Sequence, residues 1–315
     1  MMQSAITAEA LRPLILDDVL GERDHSRRLT RSLLRTVLWW PALRFASMAA
    51  DFDETVAQLG FRESVCRVIP NFARDTQRRG CEHIPDSGPL LIASNHPGSC
   101  DSLLLAASLP RDDLKIIASG ASLLRGLPNA SEHLIFLKTP GKSPTNFSVV
   151  RAAIRHLRSG GALLIFPSGR IDPDPTVLSG AAEALKGWSK SIELFLRSVP
   201  QTMVQISIVG GVMLPAFAHN PLIAQWKGPR NSAAVAGIVQ TIVQMLLPGW
   251  VRPRPTISFG RPRTSEQLRR GSQSLHQSLI AEAERLLEDH CNGRSEKLGS
   301  QPVEGSAPSI RFADN

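Results

Sequence analysis

The sequence contains no tyrosine, and its four cysteines (Cys66, Cys81, Cys100 and Cys291) show no CxxC spacing. That pattern argues against a zinc site or a disulfide framework and fits a reducing compartment. No stretch reaches about 18 uninterrupted apolar residues, so none reads as a membrane span. The first residues, MMQSAITAEALRPLILDDVLGERD, carry acids where a secretory leader would have a basic start and an apolar run. Together these absences lead us to expect a cytoplasmic protein, free or peripherally bound to a membrane. A GxSxG elbow is also missing, which removes the serine nucleophile of the α/β hydrolases.

What is present is ordinary globular material with an excess of positive charge. Hydrophobic residues make up 42% and charged residues 20% of 315, which excludes wholesale disorder and suits one large domain with appendages. The net charge of +8 favours anionic partners: nucleic acid, anionic lipid head groups or acidic acyl carriers. Arg78-Arg79 and Arg269-Arg270 are too short for a nucleic-acid patch and read as solvated helix faces. No nucleic-acid partner is therefore expected.

Residues 1–80 read as a helical N-terminal region. Within it, residues 30–50 mix Leu33, Leu34, Val37, Leu38, Trp39, Trp40, Leu43 and Phe45 with Arg31, Arg35 and Arg44. This pattern suits a helix lying in a membrane interface, kinked or restarted at Pro41, and equally an amphipathic helix packed on the domain. Residues 51–80 look helical. From Gly88, short apolar runs alternate with helical stretches. Strands are expected at 89–94, 114–119, 133–138, 162–167, 203–214 and 256–262, and helices at 102–110, 146–161, 187–199 and 233–250. Gln240 and Gln244 share one face of the last helix. Such alternation implies an α/β domain over 81–265 with a mixed, largely parallel sheet flanked by helices. A C-terminal helix over 266–291 and an unstructured tail over 292–315 complete the chain.

The chemistry concentrates in LLIASNHPGSCDSLLL, residues 90–105. A buried strand ends at Ser94, a polar turn follows and a helix begins near Asp101, which places polar groups where a sheet opens a ligand crevice. Four residues, Pro97 to Cys100, separate His96 from Asp101 and can fold the carboxylate back onto the imidazole. A carboxylate on one ring nitrogen fixes the tautomer and leaves the other free to take a proton. Asp101 also suits a helix N-cap. With no serine nucleophile, the pair would activate a substrate hydroxyl or amine directly, without a covalent enzyme intermediate.

The run Asn95-His96-Pro97-Gly98-Ser99-Cys100-Asp101 resembles the NHxxxxD motif of the glycerolipid acyltransferase family, which includes glycerol-3-phosphate and lysophosphatidate acyltransferases. LLIFPSGR (163–170) resembles that family's FPEGT block, IFLKTP (135–140) its middle motif, VMLPAFA (212–218) its final apolar-Pro motif and SFGRP (258–262) its closing strand. The resemblance spans roughly residues 80–265. It implies that His96 is the catalytic base and Asp101 its partner. It further implies an acyl donor carried as a thioester on coenzyme A or acyl carrier protein, a lysolipid acceptor, and no further cofactor. Backbone amides around Gly98 and Gly169 would serve the oxyanion, and Asn95 would shape the turn.

Several positions depart from that pattern. Ser168 stands where the family has Glu, Arg170 where it has Thr, and Thr139 where it has a phosphate-holding Arg. Lys138, Lys142 or Arg170 could supply the missing cation, and with Asn95, Ser168 and Gly169 they make up the expected substrate-binding set. FPSGR resembles the form found in the hemolysin-like and ornithine-lipid branch, which makes a lyso-ornithine lipid or another lysolipid a serious acceptor. The same departures fit an alternative, a non-catalytic lipid-binding or scaffolding protein on an acyltransferase fold.

Other signals carry less. Pro140-Gly141-Lys142-Ser143 fails as a phosphate loop because its first glycine would fall on Phe136. His96, Cys100 and Asp101 lack a second cluster to complete a metal site, so no metal is expected. His83, His133, His156, His219 and His290 read as incidental. Asp172 and Asp174, in IDPDP after the LLIFPSGR block, could line the site, but read better as an acidic surface loop.

Overall fold

The computed structural model describes residues 6–20, 28–98, 100–137, 147–225, 231–269 and 274–293, with backbone alone at 28–31. Lys138, Thr139, Pro140 to Ser143 and nearly all of the C-terminal tail thus lie outside the described residues. Four helices come first: α1 (Ala8–Leu20), α2 (Arg28–Val37), α3 (Trp39–Leu59) and α4 (Phe61–Val68). Then follow β1 (Gln77–Arg79), β2 (Leu90–Ser94), α5 (Asp101–Ser108), β3 (Leu114–Ala118), α6 (Ser122–Arg125), β4 (Leu134–Phe136), α7 (Phe147–Arg158) and β5 (Ala162–Ile165). The chain continues through α8 (Ala181–Lys186), α9 (Ser191–Ser198), β6 (Met203–Gly210), α10 (Pro215–Ala218), α11 (Pro221–Ala224), α12 (Ser232–Leu246), β7 (Thr256–Phe259), α13 (Ser265–Leu268) and α14 (Leu275–Cys291).

The strands form one seven-stranded sheet in the order β1-β7-β6-β2-β5-β3-β4. Every pairing is parallel except β6 with β7. The mixed, largely parallel sheet flanked by helices is the architecture read from the alternating pattern. Central strands covered on both faces should be buried along their whole length, and β2 and β5 are. Leu90 and Ile92 of β2 face one core with α1, α3, α4 and α5. Leu91 and Ala93 face the other, with α7, α9 and α14.

Several elements differ from the sequence reading, each for a physical reason. The span 51–80, expected to be helical, contains β1. Gln77-Arg78-Arg79 has no apolar alternation and becomes a strand only by pairing with β7 at the sheet edge. The stretch 203–214 is one strand ending at Gly210, because its last residues form a loop captured by Asp174. The C-terminal helix starts twice, at Ser265 and at Leu275, each time behind a capping box (Thr264 with Gln267, Ser274 with Gln277). Gln240 and Gln244 are buried rather than solvated. Gln240 bridges the Leu214 N–H (2.9 Å) and the Val212 carbonyl (2.9 Å). Gln244 donates to the carbonyls of Phe72 (2.8 Å) and Val251 (3.0 Å).

The N-terminal helices are integral to this body. α2 and α3 meet at Leu38, and Pro41 sits in the first turn of α3, where its missing N–H costs little. α3 buries Ala42, Ala46, Ala49 and Val56 against the domain. Its Asp53, only 1% exposed, accepts from the N–H groups of Asn129 (3.0 Å) and Ala130 (2.8 Å) and from the Asn129 amide (2.8 Å). Asp53→Ala leaves those buried donors unsatisfied, a loss of about 1–3 kcal/mol. Urea unfolding should show the unfolding free energy fall by that amount, with a correspondingly lower midpoint. An unchanged midpoint would remove Asp53 as the tie between α3 and the sheet domain.

Candidate active site

Parallel neighbours in a sheet deliver their carboxyl ends to the same edge, and here that edge collects the polar groups. β2 pairs with β5 up to Ala93 and Ile165, and with β6 up to Ser94 and Ser207. The segments that follow β2 and β5, 95–98 and 166–170, therefore meet at one crevice, lined by His96, Phe166, Pro167, Gly169 and Arg170. Asn95 fastens the first segment to β6. Its side-chain oxygen accepts from the Val209 N–H and its amide donates to the Val209 carbonyl, both at 2.8 Å. Gly98 allows a close approach, since a Cβ there would lie 3.0 Å from a methyl of Val212.

The turn closes as its composition predicts. Asp101 is fully buried at the start of α5. Its Oδ2 lies 2.8 Å from His96 Nδ1 and accepts from the Gly98 N–H at 3.0 Å. Its Oδ1 accepts from the Ser102 N–H. An ionised carboxylate only accepts, so Nδ1 carries the proton and Nε2 of the neutral ring holds a lone pair. Among the described residues Nε2 has no hydrogen-bond partner, and the His96 side chain keeps 25% of its exposure. Phe166, the first residue after β5, stacks on the imidazole with ring centroids 4.2 Å apart and 21° between planes.

Asp172 and Asp174 overturn the surface-loop expectation, being 1% and 0% exposed. Asp172 clamps His96 from behind: its Oδ2 accepts from the His96 N–H at 3.0 Å, and its own N–H donates to the His96 carbonyl at 2.7 Å. Asp174 accepts from the N–H groups of Gly211 (2.9 Å), Val212 (2.9 Å), Met213 (3.0 Å) and Thr176 (2.9 Å). Backbone amides satisfy Asp174, whereas Asp172 is held through Oδ2 alone, its buried Oδ1 having no hydrogen-bond partner among the described residues. Burial pushes both above the usual carboxylate range, against the amide bonds that hold them down. For His96, burial acts to lower the pKa, but the Asp101 carboxylate, its hydrogen bond and the charge of Asp172 outweigh it. The net effect lifts the imidazole above its ordinary value.

The ring opens onto an apolar cavity of about 840 Å³, walled by residues such as Phe45 and Phe52 of α3, Ile116 of β3 and Phe195 of α9. A second apolar cavity of about 420 Å³ adjoins it between α1, α3 and α12, shares Leu123, Leu124 and Ile171 with the first, and reaches Gly98. Of the expected substrate-binding residues, Gly169 and Arg170 line the larger cavity. Asn95 lines neither cavity; it is buried, with its side-chain amide engaged by Val209 of β6. The Ser168 hydroxyl donates to the Arg170 carbonyl at 3.0 Å. Lys138 and Lys142 lie outside the described residues. The amides of Gly98 and Gly169 are already committed, to Asp101 and to the Phe166 carbonyl. The Arg170 N–H, with only a long 3.5 Å contact to Ser168 Oγ, is freer for an oxyanion. His290 lies apart from these groups, buried against Ser258, and burial pushes its pKa down to about 4, so it stays neutral. Phe166 and Asp172 are the functional neighbours that sequence reasoning missed. Phe166 lay inside the recognised LLIFPSGR block, whereas nothing local signals the Asp172 clamp.

No curated protein matches the sequence at a significant level. The crystal structure of the 1-acyl-sn-glycerophosphate (LPA) acyltransferase PlsC from Thermotoga maritima is similar over 90% of this chain and 89% of that one, at 14% identity and a TM-score of 0.43. Residues 75–206 match the family model described as Acyltransferase. That span holds the His96–Asp101 pair, the Phe166 stack and the Asp172 clamp, and over it the chain is similar to the acyltransferase family.

Proposed function

We propose that the protein moves a fatty acyl group from a thioester on coenzyme A or acyl carrier protein to a hydroxyl or amine of a lysolipid-type acceptor, with His96 as general base. The observation that carries this reading is an imidazole held at Nδ1 by a buried carboxylate at 2.8 Å and lining an apolar cavity of about 840 Å³. A cavity of that size suits a substrate with a long apolar part. The adjoining cavity offers a second apolar compartment, as two lipid substrates require. His96 Nε2 takes the proton from the acceptor O–H or N–H as its heteroatom attacks the thioester carbonyl. The resulting oxyanion draws on donors such as the Arg170 N–H. Collapse breaks the C–S bond, and the imidazolium returns its proton to the leaving thiolate. Asp101 keeps the ring oriented and stabilises its charged form throughout.

The Arg170 guanidinium, at the mouth of the larger cavity, is the cation best placed for an anionic acceptor or carrier group, with Lys138 and Lys142 as further members of that set. Peripheral membrane association through residues 30–50 belongs to the same reading. No helix among the described residues is long and apolar enough to cross a membrane. Leu33, Val37 and Trp40 are 68%, 66% and 66% exposed. Trp39 instead lies under the Arg12 guanidinium, 3.4 Å from its ring centroid.

His96→Ala should lower thioester-dependent acylation of a lysolipid panel by about 10²–10⁴-fold while the fold persists. Near-full turnover in that variant would remove His96 from the mechanism. Wild-type protein that acylates no lysolipid from either thioester would favour the non-catalytic lipid-binding reading.

A second expectation concerns pH. The base is the neutral ring, and its pKa is raised, so the acid limb of kcat/KM should lie above the ordinary imidazole value of about 6.5. Asp172→Asn removes one of the charges that raise it, and the limb should move to lower pH. A loss of packing alone would reduce the amount of folded enzyme at every pH without moving the limb. An acid limb that stays in place would deny Asp172 any electrostatic hold on the base.

A further inference from the structure

Away from the catalytic crevice, α3 and the turn after α12 enclose a polar concavity of about 450 Å³. Arg44 of α3, Arg67 of α4 and Arg252 of the α12–β7 connection line it, and all three are exposed. The opposing charge is small. Asp51 shares the wall, and Glu63 meets Arg67 at 3.2 Å with both side chains more than half exposed, a weak pair in water. Neither Arg44 nor Arg252 forms an ion pair among the described residues.

Large apolar side chains stand around this cationic hollow. Trp250, between the lining residues Gly249 and Arg252, is 83% exposed, and Leu246 and Leu247 are 50% and 47% exposed. On the other flank Trp40, 66% exposed, precedes Arg44 by four residues on α3 and so shares its face. Indole rings that stay wet on either side of unpaired guanidinium groups match the chemistry of a bilayer surface. There tryptophan sits at head-group level and arginine forks phosphate oxygens. A protein partner would also cover leucine, but two exposed indoles beside arginines that lack partners favour a phosphate-bearing interface. His96 does not line the hollow, so it is separate from the acceptor site. Met48, Phe52 and Val68 wall both it and the catalytic cavity, so a bilayer seated here lies beside the site where lipid substrates enter.

We propose that this concavity is a docking site for the head groups of anionic phospholipids in a membrane. Arg44, Arg67 and Arg252 take the phosphate, and Trp250 and its leucine neighbours enter the interface. The site shares Trp40 and Arg44 with the 30–50 segment, rests on the membrane association proposed above, extends it to α4 and the α12–β7 connection, and is separate from His96.

Flotation of the full chain with vesicles of phosphatidylcholine, alone or mixed with phosphatidylglycerol, tests it. The chain should prefer the anionic vesicles. The triple variant R44Q/R67Q/R252Q should bind them about 100-fold more weakly, since each arginine near an anionic surface contributes about 1 kcal/mol. Trp250→Ala should weaken binding to both vesicle types. The exposed substitutions should leave the unfolding midpoint unchanged. His96→Ala should bind like wild type, so a failure of acyl transfer leaves this result readable. Wild-type-like binding by the triple variant would overturn the proposal. So would displacement of the chain from vesicles by inorganic phosphate at matched ionic strength, which would mark a site for soluble anions. A triple variant that binds vesicles normally but shows a raised KM for the acceptor would instead assign the arginines to substrate, and would equally overturn it.

Discussion

The hydrogen bond from His96 Nδ1 to Asp101 is the constraint on which the site depends. It decides which ring nitrogen is free, and it does so with a carboxylate that cannot drift. Asp101 is buried at the start of α5 and held by the amides of Gly98 and Ser102 as well as by the ring. One side chain thus closes the turn, begins the helix and sets the tautomer. The imidazole is fixed from two further directions, by the stacked Phe166 and by the two backbone bonds to Asp172. Little torsional freedom remains to the ring, the preorganisation that the proposed general-base role requires.

The fold supplies this precision through adjacency. β2 lies at the centre of the sheet with β5 and β6 parallel on either side, so three loops leave the same edge within reach of one another. Each loop is then tied to another by a buried polar residue: Asn95 to Val209, Asp172 to His96, Asp174 to residues 211–213, Gln240 to residues 212–214. None of these ties is an ion pair. Backbone amides supply the hydrogen bonds these carboxylates receive, four to Asp174 and one to Oδ2 of Asp172, so the acids stay buried without an ion pair among the described residues.

Much of this was legible in the residues. The sheet class followed from apolar runs alternating with helical stretches, and the His96–Asp101 contact from a Pro-Gly turn of the right length between a buried strand and a helix. What stayed hidden was information held by distant partners. Gln77-Arg78-Arg79 is a strand because β7 runs beside it, not because of its own pattern. Asp172 and Asp174 looked like a solvated acidic loop because the amides that receive them lie at 96 and 211–213. Gln240 and Gln244 could be placed on one helical face, but the backbone groups they meet belong to other segments and gave no local signal. In each case a polar side chain was read by its local company, whereas its burial was decided by a partner far along the chain.

The most direct test of the account is the tautomer of His96, read by ¹⁵N NMR of the ring nitrogens in alkaline solution, where the imidazole is neutral. The account predicts a protonated Nδ1 and a bare Nε2, with the preference lost in Asp101→Asn. A bare Nδ1 with the proton on Nε2 would contradict it, because the nitrogen facing the cavity could then accept nothing.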